Sequence, residues 1–180
     1  MFQQKRIKNQ YSTIAAILLF LFLLYGLGYT RDLSDQEKQK KIQEMYAEYK
    51  AKDFPYVPDI TVEAFQKLKK TNKVILVDVR SEKEQKVSMI PSAITAKEFE
   101  KDAERYKDYI IVVYCTIGYR SGKYVKKLRK KGFNAFNLIG GVLSWAHAGQ
   151  KFSSPVGDSL KVHVYGKKWN LVPEGYKAVW

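Results

Sequence analysis

Ile110-Ile111-Val112-Val113-Tyr114-Cys115-Thr116-Ile117-Gly118-Tyr119-Arg120 is the stretch on which the fold turns. Its first five residues are apolar and mostly β-branched, the signature of a strand covered on both faces, as parallel sheets are. A short loop follows, and a helical pattern takes over at 121–131. A strand, a tight loop and a helix start bring backbone N–H groups together into a cradle for anions. Cys115, the only cysteine of the chain, opens that loop. A thiol in such a cradle is favoured as the thiolate, the form that acts as a nucleophile. The plainer alternative is a buried cysteine that only packs. With one cysteine, no intramolecular disulfide can form.

Outward from this stretch the pattern alternates. Thr61 is placed to cap a helix carrying Phe65 and Leu68. Val74–Asp78 is a second short run rich in β-branched residues, again a buried strand. Residues 89–94 read as a turn into a short strand, 97–106 as a helix, and Gly132 as the glycine that ends the basic helix. Residues 133–139 are strand-like, and Gly140-Gly141 turns into a last helix with Leu143 and Trp145. Strands alternating with helices predict an α/β fold with a parallel sheet and right-handed crossovers. Ligands in such sheets bind beyond the carboxyl ends of the strands, where Cys115 falls.

Three segments flank this unit. Residues 11–30 carry no charge and are dominated by Ile, Leu, Phe and Ala, long enough to span a bilayer as a helix. Lys5, Arg6 and Lys8 precede the run, while Arg31 and Asp32 behind it cancel. The charge asymmetry puts residues 1–10 in the cytoplasm and the rest across the membrane, on a periplasmic or equivalent side. A cleaved signal peptide, giving a secreted or periplasmic protein, stays open as the alternative. Residues 31–54 read as a linker helix: Ser34 and Glu37 have capping-box spacing, and Ile42, Met45, Tyr46 and Tyr49 form an apolar stripe. Pro55 and Pro58 mark a boundary, so the domain proper is expected over 55–150. Residues 151–180 hold Trp169, Tyr176 and Trp180, too aromatic for a disordered tail, and are expected to pack on the domain, over a sheet edge for instance.

The chain has 180 residues and a formal net charge of +14. Much of the excess sits in Arg120, Lys123, Lys126, Lys127, Arg129, Lys130 and Lys131, with no acid among them. This is either a solvated helix face or a field that draws small anions toward the loop. No nucleic-acid motif accompanies it, and no partner of that kind is expected.

In this setting residues 58–150 resemble a single rhodanese (sulfurtransferase) domain. Val77-Asp78-Val79-Arg80 resembles the family's D-V-R at a strand end. Glu84 and Ile90-Pro91-Ser92-Ala93 resemble its acidic residue and I-P-x-A turn. Cys115-Thr116-Ile117-Gly118-Tyr119-Arg120-Ser121 resembles the C-x-x-G-x-R-S active loop, and Gly140-Gly141-Val142-Leu143-Ser144-Trp145 the G-G-x-x-x-W segment. One departure is Ser88-Met89, where the family often has Gly-His; local repacking is expected there.

The resemblance implies a three-layer α/β fold with a central parallel sheet flanked by helices, here behind an N-terminal transmembrane helix. It also implies a sulfurtransferase without metal or cofactor. Cys115 would take a sulfane sulfur from a small anionic donor such as thiosulfate and pass it, as a persulfide, to a thiol, cyanide or a protein acceptor. Backbone N–H groups from Thr116 through Ile117, Gly118 and Tyr119 to Arg120 would hold the sulfur, helped by the helix dipole beginning near Ser121. Arg120 would bind an oxyanion of the donor through two parallel hydrogen bonds. Asp78 and Arg80 either touch substrate or form an ion pair that braces the loop. His147 and His163 receive no catalytic role. Related cysteine phosphatases place Arg six residues after Cys; here Arg120 is five residues on, a shorter loop suited to a sulfur atom. A non-catalytic binding or sensing module on the same fold is the rival from a different class.

Overall fold

The computed structural model describes residues 32–180, and the expected span at 11–30 lies outside them. In chain order, helix α1 (Asp35–Asp53) leads to β1 (Asp59–Ile60), α2 (Val62–Thr71), β2 (Val74–Asp78), α3 (Glu82–Val87), β3 (Ala93–Thr95) and α4 (Ala96–Lys101). A 3-10 turn at Ala103–Tyr106 precedes β4 (Ile110–Tyr114), α5 (Tyr119–Lys130), β5 (Ala135–Leu138) and α6 (Gly141–His147). The last stretch holds β6 (Phe152–Ser154), β7 (Gly157–Ser159), β8 (Lys161–His163), a 3-10 turn at Lys167–Trp169 and β9 (Lys177–Val179). Among the described residues no helix is long and apolar enough to cross a membrane.

β1 to β5 form one all-parallel sheet in the order β1-β5-β4-β2-β3. The alternation of side chains along a strand divides the core in two. Val112 and Tyr114 of β4 and Leu76 of β2 face one cluster, with Val62 and Phe65 of α2, Val142, Leu143 and Trp145 of α6, and Val162, Val164, Leu171 and Val172 of the C-terminal stretch. Ile111 and Val113 of β4 and Val77 of β2 face the other, with Phe99 of α4, Val125 and Leu128 of α5, and Phe54. Apolar burial on both sheet faces is what drives the three layers together.

Several local details differ from the sequence pattern. α5 begins at Tyr119 rather than near Ser121, because Gly118 takes a left-handed conformation (φ 101°) and turns the chain into the helix directly. The expected helix over 97–106 breaks at Asp102 into α4 and a 3-10 turn. The strand at the sheet edge, β1, is only two residues long and carries no run of its own to announce it.

α1 is capped by Ser34 and Glu37 as a reciprocal pair and buries Ile42 and Tyr46. It packs against α5 and α6. The C-terminal stretch lies against α3 through β8. Its hairpin β6–β7 also bridges Met89, which exchanges two 2.8 Å backbone hydrogen bonds with Ser153. The Ser88-Met89 turn is thus held by added chain. Both flanking segments converge on the carboxyl end of β4.

Candidate active site

Cys115 follows directly on β4, at the centre of the sheet, and its loop runs into α5. The loop is held from behind by α6. Val142 N donates to the Cys115 carbonyl at 3.0 Å and Leu143 N to the Thr116 carbonyl at 3.3 Å. The close approach depends on Gly141: a Cβ there would lie 2.0 Å from the Cys115 carbonyl oxygen. From the side, Asn137 Nδ2 donates to the Gly118 carbonyl at 2.9 Å and also to Tyr46 Oη at 2.9 Å. Tyr46 Oη in turn donates to Asp59, which is paired with Lys50. Helix α1 therefore anchors the loop through a polar relay as well as through packing.

The Cys115 sulfur accepts a hydrogen bond from Gly118 N at 3.2 Å and one from Ser121 Oγ at 3.5 Å. The recorded partners are thus one amide and one hydroxyl, where the sequence suggested a run of amides from Thr116 to Arg120. The residue is 1% exposed, yet it lines a cavity of about 300 Å³. Thr116, Ile117, Tyr119 and Arg120 line it from the loop itself; Tyr49 of α1 and Tyr165 and Trp169 of the C-terminal stretch supply the rest. Gly118 and Ser121 hold the sulfur from below rather than lining the space.

Arg120 is placed differently from the sequence expectation. Its Nη1 and Nη2 donate to the two carboxylate oxygens of Glu84 at 2.7 and 2.6 Å, a bidentate pair, and Nη2 also donates to Thr116 Oγ1 at 3.0 Å. Its guanidinium carbon lies 5.0 Å from the ring centre of Tyr165, in cation–π range. The two parallel hydrogen bonds expected for a bound oxyanion are made to Glu84 instead. Burial lowers the Arg120 pKa, but Glu84 and the Cys115 sulfur outweigh it, and the net direction is upward.

Glu84 is 1% exposed and accepts from Arg120, from Ser81 N at 2.9 Å, from Ser81 Oγ at 2.7 Å and from Thr116 Oγ1 at 3.2 Å. Burial pushes its carboxyl up; the hydrogen bonds from Arg120 and Ser81 overcome that and bring the pKa down to about 2. The sequence offered Glu84 only as the family-like acidic residue ahead of the Ile90-Pro91-Ser92-Ala93 turn. Its spacing from Arg120, 36 positions away, gave no sign that the two meet.

Asp78 and Arg80 stand apart from the cavity. Arg80 gives Nε and Nη2 to the Asp78 carboxylate at 2.7 to 3.1 Å and Nη2 to the Ser88 carbonyl at 2.6 Å, with both side chains fully buried. Arg80 also lies over the ring of Tyr114, and Val79 N donates to the Tyr114 carbonyl. The pair lies beside Cys115 at the ends of β2 and β4, which Val79 N and the Tyr114 carbonyl join. His147 Nε2 meets the Leu171 carbonyl at 2.9 Å, away from the sulfur. His163 is closer to the site: its Nδ1 accepts from Tyr165 N at 3.0 Å. Tyr165 itself sits at φ 70°, a conformation unusual for a residue with a side chain. The basic residues of α5 beyond Arg120 are largely solvent-exposed.

The profile of the rhodanese-like domain family matches residues 61–148. A sulfurtransferase of Allochromatium vinosum is 34% identical over 96 residues, which cover 51% of this chain and 90% of that protein. The Bacillus subtilis protein YtwF is 29% identical over 85 residues, covering 44% of this chain and 81% of its own length. Among solved structures, the thiosulfate sulfurtransferase of Pseudomonas aeruginosa superposes with a TM-score of 0.51 at 20% identity, over 63% of this chain and 23% of that one, a likeness of fold.

Proposed function

The chain belongs to the rhodanese-like family, and from that premise we propose that it is a sulfurtransferase working through a persulfide on Cys115. The observation that carries the reading is the sulfur itself, held by Gly118 N and Ser121 Oγ at the floor of a cavity beside the Arg120 guanidinium. Such donors stabilise a sulfur anion before and after transfer. In the first half-reaction the Cys115 thiolate attacks the outer sulfur of a donor such as thiosulfate. A new S–S bond forms, the donor's S–S bond breaks, and the electron pair leaves with the departing group, sulfite in that case. In the second, an acceptor such as a thiol or cyanide attacks the outer sulfur, and the Cys115 thiolate is returned. Charge and atoms balance at both steps, and no external oxidant is required. The α5 N-terminus adds its dipole to the field at the sulfur.

We further propose that residues 11–30 tether the chain to a membrane, or direct its export before being cleaved, with the domain on the non-cytoplasmic side. The support is the charge-free apolar run behind Lys5, Arg6 and Lys8. Carbonate extraction of cells checks it: an anchored chain stays in the pellet, a cleaved one is released without its first residues, and release of the uncleaved chain contradicts both.

The enzymatic reading is tested by incubating the full chain with thiosulfate or polysulfide and weighing it. A gain of about 32 Da, one sulfur atom, is expected and is lost in Cys115→Ser. No gain with any donor would move the chain to the binding-module reading.

A further inference from the structure

The cavity over Cys115 is walled by rings. Tyr49 and Tyr119 have centroids 5.1 Å apart, and Tyr165 meets Trp169 edge to face at 5.2 Å. All four line the space above the sulfur. Three of them, Tyr49, Tyr165 and Trp169, come from outside residues 61–148, the part that the family profile matches. The added helix and the added C-terminal stretch thus supply most of the aromatic wall. Among the described residues, Arg120 is the only charged side chain besides the reactive sulfur that lines the cavity, and its fork is engaged by Glu84. The space, about 300 Å³, corresponds to roughly ten waters, far more than a tetrahedral inorganic anion fills.

We propose that this site selects sulfur donors that carry an apolar body, an aryl or branched alkyl group, over inorganic thiosulfate, and that Tyr49, Tyr165 and Trp169 set this preference. The inference rests on the Cys115 persulfide reading and names its substrate class. An aromatic-walled pocket of this size matches the general form of sites for small organic ligands, with few polar groups for orientation. Rings that bracket a ligand ring gain area burial and edge-to-face contact together. An inorganic anion would gain neither, and its charge would meet an arginine already neutralised by a carboxylate. Tyr165 is 58% exposed, so the wall it forms reaches the mouth, where a bulky donor enters. Its position is set by the hydrogen bond from its N–H to His163 Nδ1 and by its stacking on Arg120.

The chemistry is the same displacement with a different leaving group. For an organic thiosulfonate, the Cys115 thiolate bonds to the terminal sulfur, the S–S bond to the sulfonyl sulfur breaks, and the sulfinate departs with the electron pair. Two negative charges enter and two remain.

The test compares benzenethiosulfonate, methanethiosulfonate and thiosulfate as donors to the full chain, with persulfide formation followed by mass and initial rate. Each rate is divided by that of a free small thiol with the same donor, which removes intrinsic reactivity. The phenyl donor is expected to exceed the methyl donor in kcat/KM by about tenfold or more after that correction. Tyr165→Ala and Trp169→Ala are each expected to shrink this ratio several-fold. A corrected ratio near one in the native chain overturns the proposal while leaving sulfur transfer intact, and needs no variant to fold. A thiosulfate kcat/KM above that of the phenyl donor, corrected in the same way, also overturns it. A ratio unmoved by both variants refutes the role of the added segments. No mass gain from any donor overturns this proposal and the persulfide reading together.

Discussion

Gly141→Ala probes how the reactive loop is built. A Cβ at this position would lie 2.0 Å from the Cys115 carbonyl oxygen, and 2.9 Å from both the Cys115 carbonyl carbon and the Thr116 carbonyl oxygen. These are backbone atoms, so no rotamer change can make room. Gly141 also stands at φ 50°, which costs a residue with a Cβ roughly 1 kcal/mol. Moving α6 away from the loop weakens two hydrogen bonds, Val142 N to Cys115 O and Leu143 N to Thr116 O, at about 1 kcal/mol each. Overpacking of a tight contact adds about 1–3 kcal/mol. The sum is a loss of about 4–6 kcal/mol, read as a fall in the urea midpoint at unchanged slope. Gly132→Ala is the control: its φ is 83°, but a Cβ there meets nothing within 4 Å, so it pays the backbone strain alone. Persulfide formation should fall by at least tenfold in Gly141→Ala and hold in Gly132→Ala. Equal destabilisation by the two, with sulfur transfer kept in both, would refute the claim that α6 presses the loop into shape.

Other outcomes follow from the buried ionic groups. Asp78→Asn leaves the Arg80 guanidinium buried beside a neutral partner and should cost about 3–5 kcal/mol by thermal unfolding; the double variant Asp78→Asn/Arg80→Met should recover a good part of it. Glu84 has a folded pKa of about 2 against 4.5 when free, so its stabilisation is complete above 4.5 and is lost as pH falls toward 2. Allowing for the partial exposure of Arg120, that is about 2 kcal/mol, and Glu84→Gln should flatten this part of the acid-unfolding curve; an unchanged slope would contradict the pairing. Burial lowers the pKa of His163 below its ordinary value of 6.5, with Glu84 opposing. A histidine held neutral stabilises above 6.5 and loses that contribution as pH falls below it: Nε2 already carries the ring hydrogen, so the added proton must enter at Nδ1 and displace the hydrogen bond from Tyr165 N. The protection factor of the Tyr165 amide, the unprotected exchange rate divided by the observed rate at the same pH, should therefore fall on acidification below 6.5, and His163→Gln should remove that dependence.

What could be seen in the sequence was whatever repeats locally. The β-branched runs of β2 and β4 declare buried strands because parallel strands are covered on both faces. Ser34 with Glu37, and Thr61, declare helix starts because the caps act within three residues. The Cys115 loop was legible for the same reason, with strand, loop and helix contiguous. Contacts between distant positions were not. The Glu84–Arg120 fork spans 36 positions, and no local pattern distinguishes a carboxylate that will meet an arginine from one that faces water. It changed the expected task of Arg120. Tyr49 was legible in the apolar stripe of α1 and Trp169 as an anchor of the C-terminal stretch, but neither they nor Tyr165 as walls of the cavity. Their place depends on where α1 and the C-terminal stretch dock. The β6–β7 hairpin and the two-residue β1 were missed because short strands carry too few residues to show a period.

The measurement that bears most directly on the account is a two-step mass experiment on the full chain. Donor is added and removed, the Cys115 peptide is weighed, and an acceptor thiol is then supplied. One added sulfur on that peptide, discharged in full by the thiol and never seen in Cys115→Ser, is the result the account predicts. A peptide that stays at its native mass with every donor, or a sulfur that Cys115→Ser still acquires, would contradict it.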